Sequence, residues 1–302
     1  MNTHSSPAIF LHNVSKTYPG SSVAALKDIN LRVMPGEVYG FLGPNGAGKS
    51  TTIRILMNFI KANTGLVEIM GKNVSTDSLS IHAETGYLTG DYALYPKMTG
   101  KQILTYLAEL QGMSSIKPAL DLASRLTADL DKQSGDLSRG NKQKLAIIQA
   151  FMHQPRIYIL DEPTSGLDPL AQEIFYDLIK EAKARGAAVF MSSHNLSEVQ
   201  KICDRVGIIR SGSLISEDSI SNLALQAAQT FEITFKDSPP LTLLKKITDS
   251  IENTTKHSVL VHISGDMRPL FRLLSKHEIT KLEARSLDLE EQFLKLYSGE
   301  ES

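Results

Sequence analysis

The chain of 302 residues contains no tryptophan and a single cysteine, Cys203. One thiol cannot build an internal disulfide framework, so a reducing compartment is the expectation. In "EVQKICDRVG" that cysteine reads as a small buried hydrophobe without catalytic duty. An excess of charge is missing too. Lys plus Arg number 32 and Asp plus Glu 33, so no overall field draws the chain to nucleic acid or to anionic lipid. No apolar run approaches the roughly 18 residues of a membrane-spanning helix, and "MNTHSSPAIF" lacks the basic start and apolar core of a signal peptide. The length suits one large domain plus a smaller one.

What the chain does have, up to about residue 212, is short β-rich apolar runs alternating with helical patterns. "EVYGFLG" (37–43), "RIYILDE" (156–162) and "AAVFMSS" (187–193) read as strands covered on both faces. After Lys49, Ile53, Leu56, Phe59 and Ile60 recur at helical spacing, and Asn63-Thr64-Gly65 supplies stop signals. A further helix is expected from Asp168 as N-cap with Pro169 at its first position, an apolar stripe of Leu170, Ile174, Phe175, Leu178 and Ile179, and an end at Gly186. Such alternation predicts an α/β fold with a largely parallel sheet and ligands at the strands' C-terminal ends. Residues 91–140 read as a helical insert without strands. From about 225 to 302 the pattern changes to a small α+β domain, with "TFEITFKD", "SVLVHISG" and "ITKLEARS" as strands among three helices. The main domain is thus expected over 1–224.

Two constellations carry chemistry. "GPNGAGKST" (43–51) follows the "EVYGFL" strand and precedes a helix, the context that separates a P-loop from a chance string. Gly43, Gly46 and Gly48 allow backbone N–H groups to turn inward around phosphate, and the helix N-terminus adds partial positive charge there. Lys49 can reach the β- and γ-phosphates of a nucleoside triphosphate, and the Ser50 hydroxyl can ligate Mg²⁺. The second is "YILDEPTSGLDP" (158–169), which puts Asp161 and Glu162 at the tip of an apolar strand. Strand tips are also where charges escape to water. Beside a P-loop, however, Asp161 suits a water-mediated hold on Mg²⁺, and Glu162 can polarise the water that attacks the γ-phosphate.

These motifs, in their order, resemble the ATP-binding cassette family over roughly residues 8–215. "GPNGAGKST" is similar to its Walker A, "IYILDEP" to its Walker B with catalytic glutamate, "SGLDP" to its D-loop and "SSHNLSEV" to its switch histidine, here His194. "LSRGNKQK" (137–144) resembles its Leu-Ser-Gly-Gly-Gln signature, with Arg139 and Asn141 as departures, and Tyr18 lies where the family stacks an aromatic on adenine. The resemblance implies a P-loop NTPase (RecA-like) cassette that binds ATP through Tyr18, Gly43, Pro44, Asn45, Gly46, Ala47, Gly48, Lys49, Ser50 and Thr51. It implies a head-to-tail pair of cassettes in which Ser138 and Gly140 of one cap the γ-phosphate held by the other, with Asp168 at the seam. Ser138 and Asp168 can equally be ordinary helix N-caps, and both roles can hold at once. One departure concerns the loop between the lobes: where the family carries glutamine, "GYLTGDYALYPKMTG" has Gly90. Asp91 could substitute, or the loop works through backbone and solvent.

The same resemblance implies a partner: a second cassette, identical or not, and a membrane permease on a separate chain. The permease would dock near Tyr92, Leu94, Tyr95, Pro96 and Met98, side chains that serve equally well as core of the insert. Together with the ending "LEARSLDLEEQFLKLY" the pattern is most similar to exporter subunits of the ABC type-two class, peripheral to the cytoplasmic face of the membrane. Leu287, Leu289, Phe293 and Leu296 are expected to form an amphipathic end helix closing the small domain's core. The competing function is a non-transport cassette ATPase acting on nucleic acid or ribosomes. It is disfavoured because such proteins usually fuse two cassettes or carry coiled coils or basic arms.

Overall fold

Along the first unit, Met1–Glu217, the elements are β1 (Ile9–Thr17), β2 (Ala24–Val33), β3 (Val38–Leu42), α1 (Lys49–Leu56), β4 (Thr64–Ile69), β5 (Lys72–Asn73), α2 (Ser78–Ala83), β6 (Thr85–Leu88), α3 (Gly100–Leu110), α4 (Lys117–Leu126), α5 (Arg139–Phe151), β7 (Ile157–Asp161), α6 (Pro169–Ala184), β8 (Ala188–Ser193), α7 (Leu196–Ile202), β9 (Arg205–Arg210) and β10 (Ser213–Ser219). The structure is a computed structural model and describes residues 6–90, 95–227, 230–263 and 266–285. Every residue of β3, β7 and β8 is buried, as strands with helices on both faces must be. They form the centre of a sheet ordered β10-β9-β3-β8-β7-β6, in which β9 through β6 pair in parallel. A second sheet, β2-β1-β4-β5, is antiparallel.

The parallel register has a functional consequence. Leu42 aligns with Ser193, Asp161 with Ser192, and Leu88 with Leu160. Four strand ends, and the loops that begin at Gly43, Glu162, His194 and Thr89, therefore open on one edge of the sheet. Aromatic packing fixes that alignment from below: Phe190 on β8 lies 5.3 Å from the Phe41 ring and 5.9 Å from Tyr39, both on β3.

Helix boundaries depart from the sequence reading in two places. Helix α1 stops at Leu56, because Asn58 adopts φ 52° and turns the chain out of the helix. Phe59 and Ile60 thus lie beyond it, and Phe59 is 54 % exposed. In α6, capped by Asp168 as expected, the buried face is Ala171, Phe175, Leu178, Ile179 and Ala182, while Leu170 is 68 % exposed. Between β6 and α5 run α3 and α4, with a capping box at the start of α3 in which Thr99 and Gln102 satisfy each other's backbone N–H.

The second unit, Asp218–Ser302, carries α8 (Ile220–Ala227), β11 (Thr230–Phe235), α9 (Leu241–Leu244), β12 (Ser250–Asn253), β13 (Ser258–His262), α10 (Arg268–Leu274) and β14 (Ile279–Arg285). Four antiparallel strands in the order β12-β13-β11-β14 with two intervening helices make a split βαβ arrangement. Its own core is built from Phe231, Ile233, Val259, Val261, Leu270 and Leu274. Strand β12 was not anticipated: "SIEN" has one apolar residue, Ile251, and only its pairing with β13 makes it a strand. The end helix expected around Leu287–Leu296 lies outside the described residues, as do Asp91, Tyr92 and Leu94.

Candidate nucleotide site

Directly after β3 the chain turns through Gly43–Gly48 into α1. Gly43 is boxed in by β9: a Cβ there would lie 2.5 Å from the Ile209 carbonyl oxygen. Gly48 has φ 117°, and its Cβ would meet Leu26 at 2.7 Å. These two glycines are therefore dictated by protein packing behind the loop, whereas Gly46, at φ 79°, has open space around it. The Ala47 N–H bonds back to the Pro44 carbonyl, and the Ala47 carbonyl accepts from Gly212, so the loop is pinned from both sides.

Lys49 is 5 % exposed, and its ammonium donates to the Gly43 and Pro44 carbonyls at 2.7 and 3.1 Å. It also lies 3.4 Å from Glu162 Oε1, whose other oxygen is 3.3 Å from His194 Nδ1. Three side chains from three strand ends thus form one contact line. Asp161 sits beneath it, 8 % exposed, with Oδ1 accepting from Ser192 Oγ at 2.5 Å. The same Ser192 oxygen accepts from the Glu162 N–H at 3.0 Å. Glu162 has φ 45°, a left-handed conformation costly for a residue with a side chain and characteristic of functional sites; Ser192 is what holds it there.

Asn45, Ser50, Asp161, Glu162 and Gly90 line one cavity of about 460 Å³. Ser50 is exposed to it. The second oxygen of Asp161, Oδ2, faces Gly90, where a Cβ would be 3.8 Å away with no closer neighbour. The donor set for a cation is thus one hydroxyl and one carboxylate oxygen, and no cluster of three or more His, Cys, Asp or Glu able to hold a metal exists among the described residues. Few hard oxygen ligands with room for water and phosphate oxygens is the arrangement Mg²⁺ takes, and Zn²⁺ or Ca²⁺ sites do not. The residues present fit that ion.

Tyr18 approaches α1 from the end of β1. Its hydroxyl is 3.3 Å from Thr51 Oγ1, and the Lys16 ammonium lies 5.6 Å from its ring centre. The ring is half-buried, beside the loop it was expected to serve.

The other named residues gather around the 138–141 and 165–168 segments, whose Arg139 and Ser165 line the same cavity. Ser138 caps α5 by accepting from the Asn141 N–H, and Asp168 caps α6 by accepting from Ala171 at 2.8 Å. The Asp168 carboxyl is held below the usual range by that backbone bond and by Lys144, 3.3 Å away. Gly140 packs so closely on Gly166 that a Cβ would lie 2.9 Å from its carbonyl oxygen. Arg139 reaches Ser165 Oγ at 2.9 Å. Ser138, Gly140 and Asp168 therefore belong to a patch with the 165–168 loop, and among the described residues no hydrogen bond or ion pair joins them to Lys49, Glu162 or His194. Asn141, the other departure from the signature, is turned inward: its side chain donates to the Asp129 carbonyl and accepts from the Asp129 N–H. Sequence reading missed Ser192, Arg54 and Tyr87, the last two also lining the cavity. The paired serines of "VFMSS" are the only signal that pointed to Ser192.

A phosphate-cradling loop at the end of a parallel strand, with an acid pair on the neighbouring strand end, defines a P-loop NTPase. Residues 26–165 match the model of the ABC transporter domain family. The bacitracin transport ATP-binding protein BcrA of Bacillus licheniformis is 33 % identical over 298 residues, 95 % of this chain and 96 % of that protein. The Nod factor export ATP-binding protein I of Paraburkholderia xenovorans is 29 % identical over 97 % of this chain and 98 % of its own length. Among solved structures, an ATP-binding subunit of an ABC transporter superposes with a TM-score of 0.67 at 28 % identity, covering 72 % of this chain and 92 % of that one. The dimeric cassette MJ0796 bound to ADP and Pi gives 0.63 at 25 % identity over 70 % of this chain and 98 % of that one. The chain belongs to the ABC transporter family of ATP-binding proteins. It is an ATP-hydrolysing subunit of an ABC transporter, and cassettes of this kind work as dimers. Among its described residues no helix is long and apolar enough to cross a membrane.

Proposed function

We propose that this chain is the energising subunit of an exporter, bound at the cytoplasmic face of the membrane to a permease on a separate chain. Two relatives that align over nearly their whole length are named for bacitracin transport and Nod factor export, which supports the export direction. Within this reading the first unit is the cassette and the second an accessory domain. Ser50 and Asp161 hold Mg²⁺, which when bound neutralises charge on the β- and γ-phosphates. Gly43 to Thr51 wrap the phosphates with backbone N–H groups, and Tyr18 stacks on adenine. Lys49 swings from the Gly43 and Pro44 carbonyls to phosphate oxygens. Glu162 takes the proton of the attacking water, and His194 holds Glu162 and the γ-phosphate in register. Ser138 and Gly140 of a second cassette close the site, with Asp168 at the seam, and the permease couples to opening and closing.

The observation that carries the hydrolytic part of this reading is the contact line Lys49–Glu162–His194; the export part rests on the relatives. Glu162→Gln keeps the side chain's size and removes the base. It is expected to bind ATP with unchanged affinity and to lose at least about 100-fold in turnover. Turnover at the parental rate would remove Glu162 as the base. Export is tested separately: co-purification from membranes with a polytopic partner is expected, and ATPase that never accompanies membranes in the presence of its genomic neighbours would refute it.

A further inference from the structure

Glu198 is a carboxylate that nothing in the hydrolysis scheme uses. It lies in the first turn of α7, four residues after His194, and is 5 % exposed. Its Oε2 accepts from Ser193 Oγ at 2.6 Å, and Oε1 has no hydrogen-bond partner among the described residues. Helix capping does not account for it. Asn195 already caps α7 by accepting from the Glu198 N–H at 3.4 Å, and the Asn195 N–H goes to Ser193 Oγ at 2.9 Å. A neutral residue would serve Ser193 as well. Burial pushes the Glu198 carboxyl above the usual glutamate range, against the Ser193 and Thr164 hydroxyls and the His194 ring, and the nearby charge of Glu162 raises it further. A buried acid next to a like charge, with one oxygen left open, is costly for a structural cap.

Its position suggests what the cost serves. On one side Glu198 holds Ser193, the last residue of β8 and the one before His194. On the other, the Thr164 hydroxyl is near enough to favour the charged form of the same carboxyl, although its geometry falls short of a hydrogen bond to Oε1. Thr164 follows Pro163, whose carbonyl accepts from Gln143 of α5 at 2.7 Å, so Thr164 belongs to the segment that joins Glu162 to the 165–168 loop. We propose that Glu198 is a positioning residue for ATP hydrolysis: through Ser193 it fixes the strand end from which His194 meets Glu162, and Oε1 is the acceptor it offers to the neighbouring Thr164 hydroxyl. One buried carboxylate thereby ties the loop after Glu162 to the turn that carries His194. The proposal rests on the roles given above to Glu162 and His194.

The test measures kcat, KM for ATP, affinity for a fluorescent ATP analogue and melting temperature in the full-length protein. Displacing a reacting group by a fraction of an ångström costs on the order of tenfold, so Glu198→Ala is expected to lower kcat about tenfold while KM and nucleotide affinity stay within about twofold. Ser193→Ala is expected to act in the same sense, and the double variant to lose no more than the worse single. Glu198→Gln keeps an oxygen for Ser193 and is expected to recover most of the rate. Thr164→Val, at a half-buried position that tolerates the change, is expected to lower kcat alone and to add nothing in the Glu198→Ala background. Parental kcat in Glu198→Ala or in Thr164→Val, losses that multiply, or an effect confined to nucleotide affinity would overturn the proposal. If Glu198→Ala does not fold, Thr164→Val and Glu198→Gln decide it by the same criteria. Glu162→Gln run alongside separates the two claims. Parental turnover there refutes the base, whereas a normal loss there with parental turnover in Glu198→Ala refutes only the positioning role.

Discussion

Ser192→Ala removes one oxygen from a fully buried position and should disturb both acids at once. The hydroxyl donates to Asp161 Oδ1 at 2.5 Å and accepts from the Glu162 N–H at 3.0 Å. A hydrogen bond to an ionised group is worth about 1.5–3 kcal/mol, and a backbone N–H left without a partner costs about 1–3 kcal/mol. Relief of the left-handed φ at Glu162 returns part of this, about 1 kcal/mol. The net loss should be about 1.5–5 kcal/mol in the stability of the first unit. For a unit of this size that corresponds to a drop in melting temperature of roughly 3–20 °C. Because the chain has two compact units, the transition to follow is that of the unit containing β8, monitored by circular dichroism with and without the second unit's signal resolved. Asp161 freed from Ser192 also loses its fixed orientation toward the cavity, so the Mg²⁺ concentration for half-maximal ATPase should rise, by on the order of tenfold for about 1.4 kcal/mol of lost orientation. A melting shift under about 1 °C together with an unchanged Mg²⁺ requirement would refute the role given to Ser192.

Gly90→Gln should be accepted by the fold, because the nearest atom to a new Cβ is 3.8 Å away; stability should change by less than about 0.5 kcal/mol, and the added amide facing Asp161 should lower the Mg²⁺ requirement, which titration of the ATPase reads directly. Tyr18→Ala should weaken ATP binding by about 1–3 kcal/mol if the ring stacks on the base, and an affinity insensitive to the change would return Tyr18 to a tether for Thr51. Burial pushes the Tyr158 phenol up to about 12, against the Arg185 guanidinium 3.1 Å away. A raised folded-state value means that this contribution is complete below pH 10 and is lost as pH rises through about 12. Tyr158→Phe should therefore flatten the fall in stability between those values, and an unchanged slope in urea melts at pH 10–12 would show that Tyr158 ionises freely.

How much of the site could be read without coordinates depends on where each residue's partners lie along the chain. The P-loop is a local device: Gly43 to Ser50 is one turn between a strand and its helix, so its spacing and its immediate strand–loop–helix setting together define it. Asp161 and Glu162 were legible as a strand tip because β7 is a single apolar run. Their neighbours were not. Ser192 is thirty residues further on and reaches them only because β8 lies beside β7 in register. Leu170 and Phe59 were misplaced because helical period gives a face but neither where the helix stops, which at α1 is set by Asn58 at φ 52°, nor how much of that face is covered. Strand β12 carries too little apolar pattern to be seen before β13 pairs with it.

By itself the sequence determined the nucleotide chemistry and the class of fold, since a glycine-rich turn, its lysine and a paired acid are short-range features with one compatible strand–loop–helix setting. Only the tertiary structure decided that Lys49, Glu162 and His194 touch, that Gly43 and Gly48 answer to β9 and β2 more than to phosphate, and that Glu198 is buried behind the site with an open oxygen. Those facts depend on which strands are neighbours and in what register, and strand order is set by burial of the whole sheet, which no local spacing encodes.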